Sequence, residues 1–141
     1  MPVDAQIHGD NGQKAKVTGR GQVVVAPLDF STTSTKKLEV AGTAYNFVEP
    51  LQNKRIVITD ILLYANKNVG AGDATVDVYE ATGPSETTVT KCLLNTEMLK
   101  QTSRDLVGLN LITSEGVWIN AKTDDDDVFV TIMYYYVPAL G

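Results

Sequence analysis

The densest concentration of ionisable groups in this 141-residue chain is the run Asp124-Asp125-Asp126-Asp127. Adjacent carboxylates repel one another, so each must be hydrated, capped by backbone amides or neutralised by a cation. Calcium takes several hard oxygen ligands, and along an extended chain Asp124 and Asp126 point together, with Asp73 or Asp77 as further donors. The run lacks the central glycine and terminal glutamate of a helix-loop-helix calcium site. Two readings follow: a solvated acidic loop with no cofactor, which is the default, or a calcium site holding Asp124 and Asp126.

Other reactive side chains are scattered. His8, the sole histidine, lies in a glycine-rich opening where neither a positioned base nor a three-ligand metal site is expected. Cys92, the sole cysteine, sits in a strand-like run with Val89 and Leu93 and reads as inert core. Asp60, Asp77, Glu80 and Glu97 are carboxylates of the kind that pair across a glycosidase cleft, but no spacing singles out a pair. Gly19-Arg20-Gly21 has too few glycines for a phosphate loop, and no helix follows it. The expectation is a protein that is not an enzyme and has no catalytic residues.

The elements that must carry these residues are strands. Hydrophobic residues make up 43% of the chain and charged ones 21%, enough apolar content for one folded domain. Seventeen acidic against 12 basic side chains leave a net charge of -5, which disfavours binding to a nucleic-acid backbone. The longest apolar runs are too short to cross a bilayer as helices, and residues 1–10 do not read as a secretory signal. No nucleic acid and no membrane are expected as partners.

Residues 1–35 read as an extended N-terminal arm and linker. Gly9, Gly12 and Gly19 break its first part, and Ser31-Thr32-Thr33-Ser34-Thr35 reads as a hydroxyl-rich link. Lys14, Lys16 and Arg20 make this arm basic within an acidic protein, so they are its candidate contacts with an acidic surface of a larger assembly.

Residues 36–141 read as a β-sandwich domain. Lys37–Val40 and Tyr45–Val48 suggest a hairpin across Ala41-Gly42-Thr43. Lys54–Tyr64 is apolar on both alternating faces, as expected of a central strand covered on two sides, with Asp60 in need of a partner. Thr75–Glu80 alternates cleanly, and a further strand is expected over Thr87–Leu93. Thr96–Gln101 is the one helical candidate, long enough for only a turn or two. Leu106–Leu111, Val117–Ala121 and Val128–Val137 complete the strands. Short strands with glycine and asparagine punctuation imply an antiparallel two-sheet β-sandwich, jelly-roll-like in form, with a closed barrel as the alternative.

The last strand stands out. Val128, Val130, Ile132, Tyr134 and Tyr136 fall on one face and Phe129, Thr131, Met133, Tyr135 and Val137 on the other, so neither face is clearly wet. Either its outer side is covered by the arm or a loop, or it meets another subunit. Trp118, Phe129, Met133, Tyr134, Tyr135 and Tyr136 are the candidate oligomer-interface residues, since aromatic and methionine side chains bury area at a partly polar boundary. Tyr45, Tyr64, Tyr79 and Trp118 are alternative stacking surfaces for a sugar.

Several phrases together, among them Gly21-Gln22-Val23-Val24-Val25-Ala26-Pro27, Ala74-Thr75-Val76-Asp77-Val78-Tyr79-Glu80 and Asp125-Asp126-Asp127-Val128-Phe129-Val130-Thr131, resemble small structural proteins of tailed bacteriophages, of the head-decoration, cement or head-fibre type. The resemblance spans roughly residues 20 to 137. It implies a non-enzymatic virion protein on the outer capsid surface that binds the major capsid protein through the arm. It also implies a homo-oligomer, most often a trimer. The rivals are a fibre or spike component that binds host glycans, or a carbohydrate-binding module; their candidate loops are Asn66–Asp73 and Thr82–Thr87.

Overall fold

Side chains that alternate between an apolar and a polar environment pair into sheets, and here the pairing is antiparallel throughout. The computed structural model describes residues 31–66, 74–99, 101–125 and 127–139. Among them run β1 (Thr32–Leu38), β2 (Tyr45–Val48), β3 (Lys54–Ala65), β4 (Ala74–Ala81), β5 (Lys91–Met98), β6 (Ser103–Leu106), β7 (Leu111–Glu115), β8 (Trp118–Thr123) and β9 (Val128–Pro138). The larger sheet has the order β1-β9-β3-β6, with β7 also paired to β3; the smaller has the order β2-β8-β4-β5. The expected all-β fold of two antiparallel sheets is therefore present. Their facing sides make one core, with Ile58, Ile61 and Leu63 of β3 against Val76, Val78 and Ile119 of the smaller sheet.

Strand β3 is central, but its two apolar faces have a cause other than double cover. Its register with β9 steps from Ile58↔Tyr134 to Asp60↔Met133, so Thr59 is an extra residue in a β-bulge. Before the bulge Ile56 and Ile58 face the core, and after it Ile61, Leu63 and Ala65 do. The inward set thus moves from even to odd numbers, and a strict period-two reading sees apolar residues on both sides. Thr59 Oγ1 donates to Asp60 Oδ2 at 2.9 Å and Gly108 N to Asp60 Oδ1 at 3.0 Å, which satisfies the carboxylate.

Four local expectations are corrected. Thr96–Gln101 is not helical: Thr96 and Met98 are buried and Asn95 and Glu97 exposed, the period of a strand, and Thr96 pairs with Val76 in β4–β5. Lys37–Val40 and Tyr45–Val48 do not form a hairpin, because β1 pairs with β9 and β2 with β8 in the other sheet. The Tyr45 hydroxyl pins this crossing by accepting from Glu39 N and Val40 N at 3.1 and 3.0 Å. Leu106–Leu111 is interrupted, since Gly108 and Asn110 take φ of 67° and 49° and Leu109 N donates to Thr59 O at 2.8 Å. Thr32–Thr35, read as linker, belong to β1 and pair with Thr131–Tyr134.

Candidate functional site

Each sheet has an outer face, and the two differ. On the smaller sheet the cross-strand pairs Asp77↔Lys122, Tyr79↔Asn120 and Ala81↔Trp118 point outward. The connection that follows β4 folds back over them. Tyr79 Oη donates to Glu86 O at 2.7 Å, Asn120 Nδ2 to Gly83 O at 2.9 Å, and Lys122 Nζ to Thr87 O at 2.8 Å. This cover leaves Tyr79 and Asn120 fully buried. Burial pushes the Tyr79 phenol above its ordinary pKa; the Asn120 hydrogen bond pulls the other way, and the Glu86 and Asp77 charges add to the rise.

On the larger sheet, pairs of β9 with its neighbours place Phe129 beside Lys37 and Tyr64, Thr131 beside Thr35 and Leu62, and Met133 beside Thr33 and Asp60. Tyr135 lies beside Val57, which is also paired to Ile112, and Val137 lies beside Arg55. All five β9 side chains on this face are half-buried, while Tyr64 is 43% and Ile112 61% exposed. A groove of about 300 Å³ lined by Arg55, Ile112, Val137 and Pro138 runs along one end. Near its middle Val57 is only 3% exposed, and at the Asp60 end Gly108 N reaches onto the face to donate to Asp60 Oδ1. The result is a band of aromatic, methionine and aliphatic side chains with charges at its margins, the composition of a protein-contact surface.

The structure separates the six residues expected at an oligomer interface. Phe129, Met133 and Tyr135 share this outer face. Tyr134 and Tyr136 point to the core side, where they pack edge to face with ring centroids 5.7 Å apart, and Tyr136 Oη donates to Glu49 O at 2.7 Å. Burial raises both phenols above their ordinary pKa, with the Glu49 charge adding to each and Tyr134 also adding to Tyr136. Trp118 is half-buried on the outer face of the smaller sheet, remote in topology from β9. Sequence reasoning missed Val57, Leu62 and Ile112 as members of the band. The bulge hid the first two, and the third lay beyond the strand expected at Leu106–Leu111.

A second depression, of about 380 Å³, is lined by Gly42, Thr75, Asp77, Lys122, Thr123 and Asp124. Its carboxylates have protein partners: Asp124 Oδ1 accepts from Thr75 N at 2.6 Å, and Asp77 Oδ1 accepts from Asn95 Nδ2. Asp126, the other calcium candidate, and Asp73 lie outside the described residues. Asp127 forms an ion pair with Lys37 at 2.8 Å, and its amide donates to Leu38 O at 2.9 Å, so this end of the aspartate run ties the bend before β9 to β1. Among the described residues no three of His, Cys, Asp and Glu converge as metal ligands.

The remaining candidates are dispersed. Asp60 is on the outer face of the larger sheet and Asp77 on that of the smaller. Glu80, only 1% exposed, lies between the sheets, and Glu97 is exposed on β5. Cys92 is exposed on β5 and so is not core, contrary to expectation. Lys14, Lys16, Arg20 and His8 lie outside the described residues. Among the described residues no helix is long and apolar enough to cross a membrane. No protein-family model, no curated protein and no solved structure matches this chain.

Proposed function

We propose that this chain is a non-enzymatic virion structural protein that binds the outer capsid surface and stabilises or decorates the head. Subunit contacts are made by the outer face of the larger sheet, and shell contacts by the basic arm with Lys14, Lys16 and Arg20. The observation that carries the reading is the apolar band of Phe129, Met133, Tyr135 and Ile112, beside which the other sheet keeps its outer face covered. The strand orders support a jelly-roll form as well. With β6 and β7 counted as one interrupted strand, β1-β9-β3-β6 over β2-β8-β4-β5 is the order that two interlocked Greek keys produce. Capsid and lectin domains both use that architecture, so the fold alone does not choose between them. The net charge of -5 suits a protein that sits outside the shell and away from the packaged nucleic acid.

Co-sedimentation with capsids stripped of this chain tests the reading. Saturable, stoichiometric binding is expected, lost in a chain that starts at Ser31 and weakened in Met133→Asp. Starting there keeps the whole of β1, so a folded core remains as the control. Absence of saturation by the full-length wild type overturns the assignment.

A further inference from the structure

The outer face of the larger sheet carries two opposite charges on one strand, Arg55 and Asp60, placed evenly about a single level. Measured along β9, Val57 stands at the level of Tyr135, Arg55 one outward-facing step away at Val137, and Asp60 one step away on the other side at Met133. The bulge at Thr59 creates this symmetry, because it brings Asp60 to the level that an unbulged strand would give to residue 59. The two charges therefore flank the Tyr135 level at equal distances of about 7 Å, which is two residues of antiparallel strand. Ile112 lies on the same level, paired to Val57, and is 61% exposed. Glu115 of β7 stands opposite Arg55 at the exposed edge, but among the described residues Arg55 makes no ion pair within 4 Å, so its guanidinium is open to a second chain. Asp60 accepts from Thr59 Oγ1 and Gly108 N, which fixes its carboxylate while leaving acceptor capacity.

We propose that a second copy of this chain packs on this face about a two-fold axis through the Tyr135 level, so that Arg55 of each copy meets Asp60 of the other. Rotation about an in-plane axis perpendicular to the strands keeps β3 over β3 and exchanges the Val137 and Met133 levels. Tyr135 and Ile112 then meet their own mates at the centre, over the already buried Val57, and Met133 meets Val137. Two symmetric ion pairs flank an apolar centre, the layout of an isologous interface. A single shared charge sign on the face would repel a second copy; opposite signs placed symmetrically about one level attract it and set its register. Two copies, in place of the three that the phage resemblance implies, follow from this geometry. The inference rests on the reading of this face as a contact between copies and is independent of any capsid role.

Sedimentation equilibrium of the full chain, with charge reversals, tests it. The wild type is expected at twice 15.3 kDa. Arg55→Asp and Asp60→Arg are each expected to raise the dissociation constant by about a hundredfold, roughly tenfold for each of two pairs, and the double variant to restore it. Because Asp60 also anchors Gly108, Arg55→Asp with Ile112→Lys serves as a second series in case Asp60→Arg fails to fold. A wild-type monomer overturns both this inference and the contact reading. A trimer, or a dimer indifferent to Arg55→Asp and Ile112→Lys, overturns this geometry while leaving self-association in place.

Discussion

Replacing Glu80 by alanine removes a carboxylate that the fold holds between its sheets. Glu80 projects from β4 on the Ile119 side, is 1% exposed, and reaches across to β7. Its Oε1 accepts from Ser114 N at 2.8 Å and its Oε2 from Ser114 Oγ at 3.0 Å, while Lys91 Nζ stands 3.9 Å away at the exposed edge. A hydrogen bond to a charged acceptor contributes about 1.5–3 kcal/mol net, and a buried N–H left without an acceptor costs about 1–3 kcal/mol. Glu80→Ala loses both bonds and leaves a gap, whereas Ser114 is exposed and water can take up its amide, so a loss of about 3–5 kcal/mol is expected from the two charged bonds alone. Ser114→Ala removes only the hydroxyl bond and should cost about 1.5–3 kcal/mol. Lys91→Ala, with a mostly exposed ammonium at long range, should cost less than about 0.5 kcal/mol. Urea denaturation of the three variants measures this order, with an unchanged slope showing that the folded state is still two-state. A Glu80→Ala loss below about 1 kcal/mol, or a Lys91→Ala loss equal to it, refutes the idea that Glu80 works by holding β7 to β4.

Two further outcomes follow from the structure. Tyr79, Tyr134 and Tyr136 have phenols raised by burial, so each favours the folded state fully below the unfolded tyrosine pKa of about 10, and that contribution is lost as pH rises through the folded value. Titration at 295 nm should show late-ionising tyrosines, with stability flat to about pH 10 and falling above it; ionisation of all tyrosines in one step at the ordinary phenol pKa of about 10 would contradict this. Deleting Thr59 removes the bulge and lets Asp60 follow Ile58 in regular alternation, so Ile61, Leu63 and Ala65 still face the core; the variant should fold cooperatively, less stable by about 1–3 kcal/mol through loss of the Leu109 N to Thr59 O and Thr59 Oγ1 to Asp60 Oδ2 hydrogen bonds. A deletion variant that no longer unfolds cooperatively would contradict this and show that the strand needs its extra residue to keep the core in register.

The two-sheet architecture was legible because strands such as Thr75–Glu80 and Val128–Val137 alternate without interruption, and alternation reports which face is buried. Features that break the period were not. The bulge at Thr59 looks like a strand covered on both sides. The turn at Gly108–Asn110 looks like continuous apolar sequence, since Val107, Leu109 and Leu111 alternate through it. Thr96–Gln101 looked helical because Asn95 or Thr96 before Glu97 resembles a cap, while the pairing of Thr96 with Val76 is a tertiary fact. Half of the expected interface emerged from β9, whose odd-numbered face is the outer one. Tyr134 and Tyr136 were assigned there on chemistry alone, and period two already placed them on the face of Val130 and Ile132.

The account turns on the outer face of the larger sheet being a surface for protein, and Met133 at its centre is a built-in reporter. Hydroxyl-radical labelling of the full chain, read at Met133 and Tyr135 by mass spectrometry over a hundredfold range of protein concentration, measures its cover directly. The account predicts that labelling at both residues falls as concentration rises, while labelling at exposed Leu99, next to β5 of the smaller sheet, stays constant. Labelling of Met133 and Tyr135 that does not change with concentration would contradict it.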